Sequence, residues 1–99
     1  MTGRVLTRVP PKGRRATILR HTISDFRTLD EVSNAVRAEG ASRVGDIAID
    51  RLKTRGAVKD LHRGGFLDRT PWGLRCTASG IALLEQSNVA VRQRNGRSQ

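Results

Sequence analysis

The segment KDLHRGGFLDRTPWGLRCTASGIAL, residues 59–83, leaves the chain few ways to fold. Val58 and Leu61 are three apart and share one helix face. Gly64 and Gly65 follow at once, and glycine takes the left-handed backbone that commonly ends a helix. Phe66 and Leu67 should then enter a core. Residues 66–70 are extended in character, and Pro71-Trp72-Gly73 supplies a fixed φ followed by a permissive residue, which is turn chemistry. Leu74 and Cys76 alternate with Arg75 and Thr77, the period-two pattern of a half-buried strand returning antiparallel to the first. Thr77 or Ser79 can cap the apolar run Ile81, Ala82, Leu83, Leu84, whose spacing favours a helix. A short hairpin bracketed by two helices is the result.

Ninety-nine residues suit one small domain with a single core. With 36% apolar residues and only two Phe and one Trp, that core must be built from Ile, Leu, Val and Ala. The formal net charge of +10 attracts polyanions through counterion release, which makes nucleic acid the leading partner. Much of the excess sits at the ends. Arg4, Arg8, Lys12, Arg14 and Arg15 precede any acid, and Arg92, Arg94 and Arg97 close the chain with none. The organisation expected is a flexible basic arm over 1–14, a folded domain over 15–91 and a flexible basic tail over 92–99. The single Cys76 cannot form an internal disulfide and falls on the apolar face of the second strand. A reducing cytoplasm fits it. No apolar run approaches a membrane span, and the basic N-terminus lacks the apolar stretch of a secretory leader.

Before the hairpin, four helices are predicted. Ala16, Ile18, Leu19, Thr22, Ile23 and Phe26 recur at three and four, giving a first helix over about 15–25. Thr28-Leu29-Asp30-Glu31 is a capping-box pattern, followed by the stripe Leu29, Val32, Ala35, Val36 and a stop at Gly40. Ser42 can cap a third helix, with Val44, Ile47, Ala48 and Leu52 inward and Arg43, Asp46, Asp50 and Arg51 in water. Thr54-Arg55-Gly56 then reads as a turn before a further helix over 54–63. One long helix over 43–63 is the alternative, because glycine is costly but tolerated inside helices.

With the turn accepted, residues 43–69 read as helix, turn, helix, strand. The second helix of such a pair commonly enters the major groove, and its wet face would carry Arg55, Lys59, His62 and Arg63. The elements IA at 47–48, AVKDL at 57–61, GGFLDR at 64–69 and LRCTASG at 74–80 make residues 42–86 resemble a winged helix-turn-helix domain of small bacterial, archaeal and phage transcription regulators. The last element is similar to the strand that ends in Thr, two residues and Gly before the final helix of multiple-antibiotic-resistance-type regulators. The resemblance implies a mainly α fold with a small β-hairpin wing. It also implies a DNA-contacting set of Arg51, Lys53, Thr54, Arg55, Lys59, His62, Arg63, Arg69 and Arg75, with Arg4, Arg8, Lys12, Arg14 and Arg15 as arm contacts. Arg69 and Arg75 flank the tip and would hold phosphates, which positions a domain without reading sequence.

The expected partner is double-stranded DNA and the expected role transcription regulation at the nucleoid. A homodimer could form through the first helix or the last. Trp72 either packs back on the domain or meets a sugar, a base or a protein, with packing preferred for its large apolar area. His21 and His62 are far apart, no cluster has metal-ligand spacing, and neither a phosphate loop nor a dinucleotide fingerprint occurs. Neither an enzyme nor a cofactor is expected. Two other readings stay open: a winged-helix protein-interaction module, as in a phage protein binding host machinery, and an RNA-binding protein.

Overall fold

The computed structural model describes residues 13–86. Arg4, Arg8, Lys12 and the basic tail of 92–99 lie outside the described residues, as does the end of the expected domain at 91. Helix α1 runs Arg14–His21, α2 Leu29–Ala38 and α3 Ile47–Arg63; the strands are β1, Leu67–Thr70, and β2, Gly73–Cys76. A further helix, α4, occupies 78–86 of the described residues. The fold is mainly helical with one two-stranded antiparallel hairpin, a layout compatible with a winged helix.

Helix α1 ends four residues earlier than its periodicity suggests, because the chain beyond it is committed to the hairpin. The Thr22 hydroxyl donates to the carbonyls of Ile18 and Leu19, and the Thr22 carbonyl accepts from the Cys76 amide at 2.8 Å. Arg27 then forms an isolated antiparallel bridge with Leu74, exchanging bonds of 3.0 and 2.7 Å. A helix through Phe26 would forfeit these bonds, so residues 22–27 instead lie along the edge of β2, and Ile23 is exposed. The close approach makes Gly73 necessary. Its φ is 132°, and a Cβ there would sit 2.8 Å from the Arg27 carbonyl oxygen.

Helix α2 starts as its capping box requires: the Thr28 hydroxyl accepts from the Glu31 amide and the Glu31 carboxylate accepts from the Thr28 amide. Val32 and Val36 are fully buried.

Helix α3 corrects three expectations. It is continuous through Thr54, Arg55 and Gly56, with no turn between them. Its cap is Asp46, whose carboxylate accepts from the amides of Ala48 and Ile49, while Ser42 is engaged elsewhere. Its faces are also rotated from those expected: Ile47, Ala48 and Leu52 are exposed and Asp50 is buried. The reason is one inward stripe, Asp50, Thr54, Ala57, Val58 and Leu61, which keeps helical spacing across Gly56. Each further turn of helix buries more of that stripe, and this outweighs the roughly 1 kcal/mol that an interior glycine costs. The two consecutive helices before the hairpin are therefore α2 and α3, joined by 39–46, rather than two pieces of α3.

The hairpin register pairs Leu67 with Cys76 and Thr70 with Gly73. Leu67, Leu74 and Cys76 face inward with Phe66, as their alternation predicts, and meet Ile18, Leu19, Val58 and Leu61 in a single core. The Thr77 hydroxyl accepts from the Gly80 amide and so caps α4. Gly80 lets α4 pack tightly: a Cβ at that position would lie 2.3 Å from the Phe66 carbonyl oxygen and 2.6 Å from the Cys76 sulfur. Leu83 and Leu84 of α4 close the core.

Candidate nucleic-acid interface

Because its inward stripe starts at Asp50, α3 turns a continuous outer face to solvent. Ala48, Leu52, Arg55 and Lys59 recur at four, three and four along it, with His62 and Arg63 in its last turn. Beside this face stands the hairpin. Between them runs an open groove of about 330 Å³, lined by Arg27, Thr28, Leu29, Arg55, Val58, Lys59 and the turn residues 69–74. Four of the lining side chains are cationic and none is a carboxylate. Arg27 has a partner in Glu31 at 3.8 Å, but Arg55, Lys59 and Arg69 have no ion-pair partner among the described residues. Three uncompensated cations around one concave surface attract an anion more strongly than the same charges scattered.

The hairpin is held at its height by short local bonds. The Thr70 hydroxyl donates to the Gly73 carbonyl at 2.8 Å and accepts from the Trp72 amide at 3.1 Å. The Trp72 ring meets Phe26 with centroids 5.9 Å apart and planes tilted by 51°, yet the residue is 74% exposed. The packing expected of Trp72 is thus a single ring contact, and most of the indole remains in water. The Arg75 guanidinium covers the Phe26 ring at 5.1 Å, so Phe26 has Trp72 and Arg75 against it. The His62 Nδ1 lies 3.0 Å from the Leu67 carbonyl oxygen, which can only accept, so Nδ1 carries the proton and ties the end of α3 to β1.

Not every residue expected at the interface is there. Thr54 is fully buried and its hydroxyl accepts from Arg14 at 2.6 Å, so it faces the core rather than a ligand. Arg14 is no arm contact: its guanidinium also reaches the Asp50 carboxylate at 2.8 Å and the Ser42 hydroxyl at 3.1 Å. Arg15 pairs with Asp60 at 3.1 Å, and Lys53 lines a separate hollow with Arg14, Arg15 and Asp60 on the flank away from the hairpin. Arg51 is exposed and pairs with Asp30 at 3.2 Å, and it is not among the residues that line the groove. Arg55, Lys59 and Arg69 are brought together; Lys53 is not.

Two features escape a linear reading. One is the buried charge of Asp50, which holds Arg14 and Ser42 on one oxygen and lies 3.6 Å from Arg37 with the other. Burial pushes its carboxyl upward, but the bonds from Ser42 and Arg14 and the charges of Arg14 and Arg37 outweigh that and hold it below the ordinary carboxylate range. The only hint in the sequence is that Asp50 and Thr54 stand four apart, in step with Val58 and Leu61. The other is Arg27, placed in the groove by its bridge to Leu74, a contact that no local pattern encodes.

Among the described residues no group of three His, Cys, Asp or Glu side chains is placed to hold a metal, and no helix is long and apolar enough to cross a membrane. The fold and its groove define a small, mainly helical protein that presents unpaired cations between a long helix and a hairpin. No family model, curated protein or solved structure matches the chain.

Proposed function

We propose that this protein binds double-stranded DNA, as a non-enzymatic transcription regulator acting at the nucleoid in the cytoplasm. The observation that carries the reading is the groove in which Arg55, Lys59 and Arg69 stand without ion-pair partners among the described residues and with no carboxylate in its lining. Helix α3, about 25 Å long at 1.5 Å per residue, matches a major groove about 12 Å wide that admits a helix. With the outer face of α3 in that groove, Lys59 and Arg63 lie toward its C-terminal end and the hairpin lies over the adjacent backbone. Arg69 and Arg75 then meet phosphates, and Trp72 extends from the tip toward the sugar edge. The +10 net charge supports long-range steering to a polyanion.

Titration of random duplex DNA against salt tests this. Affinity should fall steeply as salt rises, and replacing Arg55, Lys59 and Arg69 together by alanine should flatten the logarithmic slope by about one per cation removed. Absence of binding at low salt would reject the reading, and tighter binding to duplex RNA under the same conditions would move it to RNA. Among the described residues, α1 and α4 both spend their large apolar side chains on the core. Two copies on neighbouring half-sites would extend the footprint. Sedimentation of the free and duplex-bound protein checks that arrangement.

A further inference from the structure

The outer face of α3 is divided. Its last turns are cationic, but its first two expose apolar side chains: Leu52 is 64% exposed and Ile47 62%, beside Ala48. A leucine in water forgoes the free energy of burial, and here it does so in the same stripe as Arg55 and Lys59. A protein partner covering Leu52 with an apolar surface would also draw water from Arg55, the next residue of that stripe, and leave its charge uncompensated. A duplex satisfies both halves. Its major groove is lined by phosphates, and within it the thymine C5-methyl is the apolar group on the base edges.

Resting on the reading of α3 as the helix that enters the major groove, we infer that Ala48 and Leu52 contact thymine methyl groups, so that the protein selects thymine-containing sites. Ala48 and Leu52 are one turn apart, about 6 Å along the axis at 1.5 Å per residue, or close to two base-pair steps of about 3.4 Å. The two contacted thymines therefore lie within about two base pairs of each other. Arg55, next along the stripe, supplies the charge beside them.

The test uses the full chain and a duplex recovered by selection from a pool randomised at its centre. Each thymine of the recovered duplex is replaced in turn by deoxyuridine, which lacks only the methyl group. Deoxyuridine at one or two positions should weaken binding about fourfold per contacted methyl. Leu52→Ala, at an exposed position that the fold does not need, should abolish the sensitivity at one of them and leave the salt slope unchanged. If every deoxyuridine duplex binds as tightly as its parent, or if Leu52→Ala keeps the full sensitivity, the inference is overturned. Salt-dependent binding with no recovered sequence also overturns it while leaving DNA binding standing. Loss of all duplex binding at low salt removes both.

Discussion

Asp50 concentrates most of the unusual energetics of the chain in one side chain. It is fully buried, yet it keeps its charge because Ser42, Arg14 and Arg37 surround it. Since its folded carboxyl sits below the ordinary value of 3.8, the stability it contributes is present above that value and is lost as pH falls through the lower folded value. Asp50→Asn should cost about 3 kcal/mol at pH 7, read from the urea midpoint, because it leaves two arginines without their buried counter-charge. Its stability should also fall less than that of the parent below about pH 4. Glu39 shares the acid window, lowered by its bond from His21 and then by Arg20, but it is exposed and its part is smaller. Cys76 titrates the other way. Burial pushes its thiol up to about 11, so alkylation by iodoacetamide at pH 8 should be slow in the folded protein and become fast in urea.

Among the elements, α3 decides both the fold and the interface, and Gly56 is its probe. The glycine is helical, with open space where a Cβ would stand. Gly56→Ala should therefore raise stability by about 0.5–1 kcal/mol, measured by thermal or urea unfolding; a loss would mean a break in the helix at that point. Gly80 gives the opposite outcome at the start of α4. Gly80→Ala drives a methyl against the Phe66 carbonyl and the Cys76 sulfur, and it should cost at least about 2 kcal/mol by the same measurement. Local signals were sufficient for the capping box of α2 and the hairpin with its turn, and they narrowed the cap of α4 to Thr77 or Ser79, of which Thr77 is the one used, because each depends on residues a few positions apart. They were insufficient for the end of α1, which is set by Leu74 and Cys76 some fifty residues away.

For the molecule as a whole, charge sets two responses to salt that run in opposite directions. A small domain carrying +10 repels itself, and added salt screens that repulsion over about 10 Å at 0.1 M. The thermal midpoint of the free protein should rise between 10 and 300 mM salt, over the same range in which duplex affinity falls. Calorimetry and a binding titration on one preparation check both. A midpoint that falls with salt would show that the ion pairs, and not the net charge, dominate the electrostatics of the fold.

By itself the amino-acid sequence determined the capping box of α2, the hairpin, the charge and, Arg27 apart, the cations beside the hairpin. Alternation, capping and glycine stops act over a few residues, and formal charge needs no structure at all. Which face of α3 turns inward was decided only in three dimensions. Arg14 lies 36 residues from Asp50 and Arg37 sits on another helix, and only their convergence allows a carboxylate into the core. That rotation exposes Ala48 and Leu52, buries Thr54 and brings Arg55 and Lys59 to the groove with Arg69. The residue types were legible from the start; their grouping depends on distances that only the packed chain sets.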